Sequence, residues 1–197
     1  MQVIEIKGQI RNDLGKKGAR EARKQEMIPC VMYGAKEVVH FTTTPSVVKD
    51  LVYTPDFKVA EVEVEGKKFK CILKDKQFHP VTDAIQHLDF LMLIEGHPIK
   101  VDVPIRFKGV SPGVKSGGKL VQKLRTAKIK ALPEKLVDEV TVDISKLEMG
   151  QSIRVREIEP GEGIEILNSP GVPIATIEIP RALRSAQQAA AAAEKKK

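Results

Sequence analysis

A chain of 197 residues with 42% apolar content can fill one large or two small cores, which excludes wholesale disorder. Only 4% of the residues are aromatic and Trp is absent, so those cores are aliphatic and rich in the β-branched residues that favour strands. The net charge of +7 points to a polyanionic partner, and it is focused: residues 7–24 hold seven Lys/Arg against two acids.

Along the chain, Ile4, Ile6, Gly8 and Ile10 form the inward set of a half-buried strand, alternating with Glu5, Lys7 and Gln9. Arg11–Lys17 reads as a loop, and Gly18–Met27 as a helix stopped by Pro29, with Arg20 and Arg23 three apart on one face. Cys30–Tyr33 is a short strand closed by Gly34. Thr44-Pro45 opens a helix to about Tyr53, with Thr44 as N-cap and Pro45 at the first helical position. Val59–Val64 and Phe69–Leu73 pair as a hairpin about Glu65-Gly66-Lys67, and Lys74–Gln86 reads as a polar loop. In the strand that follows, Leu88, Phe90 and Met92 share one face and His87, Asp89 and Leu91 the other.

Glu95-Gly96-His97-Pro98 is the best domain boundary, which divides the chain into 1–94, 95–181 and an Ala/Lys-rich tail, 182–197, expected to be disordered or a frayed helix. The second domain opens with Ile99, Val101, Val103, Ile105 and Phe107 alternating with polar residues and Pro104, whose outward position suggests an edge strand. A loop with Gly109, Gly113, Gly117 and Gly118 follows. Short strands are then expected at about Thr126–Ala131, Glu139–Asp143, Ser152–Arg156, Ile164–Leu167 and Ile174–Ile179, with a capped helical turn at Ser145–Met149. The fold class is mainly β: an N-terminal domain with short helices, then an all-β domain.

Two constellations could carry chemistry. The basic strand–loop–helix from Arg11 to Lys24, with Tyr33, offers mobile cations and two arginines able to fork onto phosphates or base edges. The same residue types fit a solvated charged helix equally well. His87 and Asp89, near Gln77 and Lys74, could read base edges or ribose hydroxyls in the shallow minor groove of RNA, Asp89 accepting amino protons; an ordinary solvated strand face is the alternative. The histidines lack metal-ligand spacing, and no GxSxG, Walker or GxGxxG motif is present, so neither catalysis nor a cofactor is expected. Cys30 and Cys71 lie in apolar runs and read as buried free thiols. No signal-like or membrane-spanning apolar run occurs, so a cytoplasmic protein is expected.

The run Arg11-x3-Gly15-Lys16-x3-Arg20-x2-Arg23-x5-Pro29-x3-Tyr33-Gly34 resembles the N-terminal signature of the bacterial ribosomal protein family that binds 5S ribosomal RNA. Asp75-x-Gln77-x-His79-Pro80 and Gln86-His87-x-Asp89-Phe90 resemble its second signature. Gly109-x3-Gly113-Val114-x2-Gly117-Gly118 and Val142-Asp143-Ile144-Ser145-x-Leu147 resemble the long two-domain form, general stress protein CTC. The resemblance implies an N-terminal β-barrel that docks into the minor groove of an internal loop of 5S rRNA. Arg11, Lys16, Arg20, Arg23 and Tyr33 would line one contact surface, and Gln77, His87 and Asp89 a second. Lys74 stands where the short form tends to carry a polar amide, which implies a phosphate contact there, and Glu21 stands where a basic residue is common. The implied partners are 5S rRNA, the large ribosomal subunit and neighbouring ribosomal proteins, with no membrane and no small-molecule substrate. A free stress-related module acting on tRNA or other RNA is the alternative.

Overall fold

The computed structural model describes residues 2–34 and 38–180, so the expected tail at 182–197 lies outside the described residues. The chain divides into two compact units. One runs to Val101 and takes in Ala131–Asp138; the other comprises Asp102–Lys130 and the chain from Glu139.

The first unit is a closed barrel of six strands: β1 (Val3–Ile10), β2 (Ile28–Tyr33), β3 (Val39–Thr43), β4 (Val59–Val64), β5 (Lys67–Phe78) and β6 (Ile85–Met92). Around the barrel the order is β1-β3-β2-β6-β5-β4, closed by parallel pairing of β1 with β4. Closure removes the sheet edges that would otherwise offer unpaired backbone groups. Two helices are attached, α1 (Lys16–Lys24) and α2 (Pro45–Val52). Aliphatic side chains fill the interior about one aromatic pair, Phe41 and Phe90, with ring centroids 5.7 Å apart. The expected inward set of β1 holds at Ile6, which is fully buried, but fails at Ile10, which is exposed at the strand's end. Gly8 belongs to that set because the Phe41 ring fills its space: a Cβ there would stand 2.5 Å from the ring.

Several expected boundaries move, each for a local reason. The helix expected at Gly18–Met27 begins at Lys16, next to Gly15, and ends at Lys24. Its stop is Glu26 in the left-handed region (φ 58), after which Met27 N–H donates to Ala22 O. Pro29 lies instead inside β2, where the parallel pairing with β6 starts only at Cys30 and does not require its missing N–H. Thr44 does not cap α2 through its side chain. The hairpin of β4 and β5 turns at Glu65 (φ 51) and Gly66 (φ 76), the backbone of a two-residue turn. The segment expected as a polar loop from Lys74 is strand as far as Phe78, which leaves only residues 79–84 as connection.

The second unit contains a four-stranded sheet and a three-stranded sheet. The first has the order β10-β7-β9-β12, from β7 (Ile99–Lys108), β9 (Thr126–Ala131), β10 (Val140–Asp143) and β12 (Ile164–Ile166); the division between units falls within β7. The second has the order β11-β13-β8, from β8 (Lys119–Gln122), β11 (Ser152–Arg154) and β13 (Pro173–Glu178). Contrary to the expected edge position, β7 is an interior strand and Pro104 is buried. Its missing N–H is tolerated on the β10 side because that pairing begins at Ile105. Within the glycine-rich loop the one-turn helix α3 (Pro112–Lys115) is capped by the buried Ser111, whose hydroxyl accepts from Gly113 N–H and donates to Leu147 O. Neither α3 nor β8 was expected from the sequence. The helical turn expected at Ser145–Met149 is a simple turn held by Asp143, whose carboxylate accepts from Ser145 N–H and hydroxyl.

Both cysteines are free and buried, as their apolar runs suggest, with Cys71 Sγ 3.1 Å from Met32 Sδ. Burial pushes both thiols up, Cys71 to about 12. Because the folded chain favours the protonated thiol, this contribution to stability is complete below the ordinary value of 9.0 and is lost as pH rises towards about 12. The urea midpoint should therefore fall between about pH 8 and pH 10.5, and fall less in a Cys30→Val/Cys71→Val variant. At the barrel wall, Gly8→Ala should cost ~1–3 kcal/mol in urea unfolding, because Phe41 must leave its packed position.

Candidate nucleic-acid interface

The outer face of β2, β6 and β5 assembles most of the residues singled out in the sequence. On β6 the alternation holds as expected: Leu88, Phe90 and Met92 point into the barrel, while His87 and Asp89 face outward and are half-buried. On β5 a register irregularity at Lys74 decides which side chains join them. Cys71 and Leu73 pair with Met92 and Phe90 on the inner face, but past the irregularity Asp75 pairs with Asp89 and Gln77 with His87 on the outer face. One inserted residue reverses the side-chain alternation. Lys76 inherits the inward direction, and its ammonium group turns to Val52 O at 2.8 Å, 5.8 Å from the centre of the Phe78 ring.

His87 Nδ1 lies 2.6 Å from Asp89 Oδ1. A carboxylate only accepts, so Nδ1 is the donor in this contact. Tyr33, on the neighbouring β2, is pushed above its ordinary value first by burial, then by the charges of Asp89 and Asp75. It therefore stays a phenol and a hydrogen-bond donor well above neutral pH. Together Tyr33, Gln77, His87 and Asp89 present donors and acceptors on a sheet face whose backbone is held by pairing on both sides of β6.

Asp75 is the residue that sequence reasoning missed as part of this face. Its carboxylate accepts from Lys76 N–H at 2.8 Å and its backbone stands opposite Asp89. Like charges opposite one another destabilise a sheet, so this pairing makes the face locally acidic and a good acceptor of amino protons. The sequence reading placed Asp75 in a polar loop, which assigns a side chain to no face; it is strand that sets its direction.

The cations come from α1. Lys16, Arg20 and Arg23 recur at four and three residues, so at 100° per residue they form one stripe about 60° wide, opposite the face carrying buried Ala22. Helix and sheet are tied together where Arg23 Nε donates to Gln86 O at 3.1 Å, one residue from His87. Arg11 follows β1, half-buried, and among the described residues its Nε and Nη1 are buried without a hydrogen-bond partner. Donors so enclosed are unsatisfied and out of an incoming ligand's reach, which leaves only the rest of the guanidinium to meet one. Lys74, at the bulge, is drawn elsewhere: its ammonium group donates to Lys100 O at 2.9 Å. Among the described residues there is no group of three or more His, Cys, Asp or Glu able to hold a metal, and no helix long and apolar enough to cross a membrane.

Comparison with known families agrees with this architecture in both halves. Residues 6–90 match the Ribosomal L25p family, and residues 98–181 match the family described as ribosomal protein TL5, C-terminal domain. The large ribosomal subunit protein bL25 of Cytophaga hutchinsonii is 40% identical over 195 residues, covering 99% of this chain and 100% of that protein. The chain belongs to the bL25 family. The bL25 protein of Amoebophilus asiaticus is 44% identical over 197 residues, with both chains covered completely, and that of Phocaeicola vulgatus is 40% identical over 193 residues, covering 94% and 97%. In this bL25-family chain, the two segments whose signatures stand apart in the sequence, Arg11–Tyr33 and Asp75–Phe90, are brought side by side by the pairing of β2 with β6 and β6 with β5.

Deleting Lys74 removes the extra position, so Leu73 is followed directly by Asp75 and the pairs Leu73–Phe90, Asp75–Asp89 and Gln77–His87 form a regular ladder. Asp75 and Gln77 should therefore stay on the outer face, and backbone hydrogen exchange at residues 75–78 should be no faster than in the unaltered chain.

Proposed function

We propose that this chain is a structural protein of the large ribosomal subunit, and that its N-terminal domain, residues 1–94, binds 5S rRNA. The observation that carries the reading is the juxtaposition of a polar sheet face (Tyr33, Gln77, His87, Asp89) with a cationic helix stripe (Lys16, Arg20, Arg23), joined at the Arg23–Gln86 hydrogen bond. Membership of the bL25 family, whose curated relatives are large ribosomal subunit proteins, supports it.

The mechanism divides affinity from discrimination. Lys16, Arg20, Arg23 and Arg11 neutralise phosphates and release counterions, which supplies affinity, on-rate and a steep salt dependence. Gln77, His87 and Asp89 meet base edges and ribose hydroxyls in the wide minor groove of an RNA internal loop. Asp89 has one oxygen engaged by His87 and one left to accept an amino proton, an interaction that phosphate cannot offer. Tyr33 donates its hydroxyl or stacks. Lys74 reaches a phosphate after exchanging its carbonyl partner Lys100.

The test is a titration of the full chain against 5S rRNA at two salt concentrations with tRNA as competitor. Tight binding that resists tRNA supports the assignment. Binding abolished by tRNA would leave a general RNA-binding module acting off the ribosome. Asp89→Ala should narrow the preference for 5S rRNA over tRNA by ~1–3 kcal/mol. Lys16→Ala should weaken both RNAs equally and lower the salt slope by about 1. Equal loss of preference in both variants would count against the division of labour.

A further inference from the structure

The second unit is nearly neutral only on average. After Asp102 the stretch to Lys130 carries eight Lys/Arg and not one Asp or Glu, whereas residues 139–180 carry eight acids and three bases. Segregation of this kind is not needed for solubility, which mixed surface charge provides. Folding returns some of the acids to the basic segment. Arg106 pairs with Glu139 at 3.6 Å and Lys130 with Glu165 at 3.2 Å. In the ladders, Lys108 stands opposite Asp143, and Lys119 opposite Glu178. Four cations remain. Lys115, Lys123, Arg125 and Lys128 are exposed, and among the described residues none forms an ion pair.

Three of the four lie on one short extended stretch, the crossing from β8 in one sheet to β9 in the other. Its backbone is held at every step. Lys123 and Leu124 N–H groups both donate to Ile174 O, Ile105 N–H donates to Arg125 O, and Lys128 N–H donates to the side chain of Asn168. Six residues so held span at most about 17 Å, with three cationic side chains projecting from a rigid track. The apolar residues between them offer no anchor: Leu124 is half-buried and Ala127 fully buried. Protein interfaces are built on apolar and aromatic anchors, while a phosphate backbone asks only for positioned cations.

We propose that the second unit carries its own RNA-backbone contact, centred on Lys123, Arg125 and Lys128, separate from the barrel surface. It goes beyond the barrel reading and does not require it. The contact is sequence-independent, since these side chains come with no accompanying set of acceptors to read bases, and it would grip helical RNA through phosphates on one side.

The test uses the full chain and a 20-base-pair RNA duplex of arbitrary sequence, with binding followed by anisotropy across a salt series. Lys123→Gln/Arg125→Gln/Lys128→Gln should lower the slope of log affinity against log salt by about 2–3, with the thermal midpoint unchanged. The charge-preserving variant Lys123→Arg/Arg125→Lys/Lys128→Arg should keep the wild-type slope. Lys16→Gln/Arg20→Gln in the barrel serves as the comparison, and its loss should add to that of the triple variant. An unchanged slope and affinity in the triple variant would overturn the proposal. If that variant nevertheless failed to sediment with large subunits, the surface would belong to an acidic protein partner and the proposal would again be wrong. A loss confined to the triple variant, with the barrel variant silent, would uphold this contact and remove the barrel's.

Discussion

The polar outer face of the barrel depends on the register in which β5 pairs with β6. At Lys74 the β5 strand gains one position relative to β6, and from that point its odd-numbered side chains exchange the interior for the surface. Cys71 and Leu73 line the core; Asp75 and Gln77 stand beside Asp89 and His87. Were Lys74 paired in the regular ladder instead of left over as the extra position, Asp75 and Gln77 would enter an aliphatic core that has no partners for them. In the observed register, one strand serves both the packing of the barrel and the chemistry of its surface. Lys76 shows the constraint from the other side, since it points inward and escapes only because its long stem reaches the carbonyl of Val52.

The rest of the barrel makes that face rigid. Phe41 and Phe90 occupy the centre, Gly8 yields space to the Phe41 ring, and closure through β1 and β4 leaves no free edge. Side chains placed on paired strands are held more closely than on loops, which suits discrimination by hydrogen bonds of defined direction. The helix stripe is different in kind. Lys16 and Arg20 are long, exposed and adaptable, suited to phosphates that need charge more than angle. Arg23 spends part of its donor capacity on the Gln86 carbonyl and so couples the two surfaces.

Charge is handled differently in the two units. In the barrel, acids on one strand face bases on its neighbour, as with Glu61 and Lys68, paired across β4 and β5 at 3.4 Å. In the second unit, the bases come first in the chain and the acids later, and the sheets match only some of them. The unmatched remainder gathers where the chain crosses between sheets, a stretch with little apolar surface to bury.

Composition and periodicity by themselves determined a good deal. The aliphatic, β-branched content set the β class; the alternation in Ile85–Met92 named the core residues Leu88, Phe90 and Met92; and Glu65-Gly66 located a turn through its backbone needs. The signatures around Arg11–Tyr33 and Asp75–Phe90 pointed to polar and basic residues that the fold gathers on β2, β6, β5 and α1. These are local properties, written within a few residues of one another. Tertiary structure alone decided the remainder. Pro29 and Pro104 are tolerated within strands on the β6 and β10 sides, where the pairing starts one residue later, and a pairing start is a property of the partner strand. Lys74–Phe78 is strand because β6 is there to receive it, despite a polar sequence that reads as loop. Asp75 joins the outer face because β6 pairs with it as strand, opposite Asp89, where the sequence reads as loop. In each case the deciding group is distant in sequence, and only the closed sheet brings it into hydrogen-bonding range.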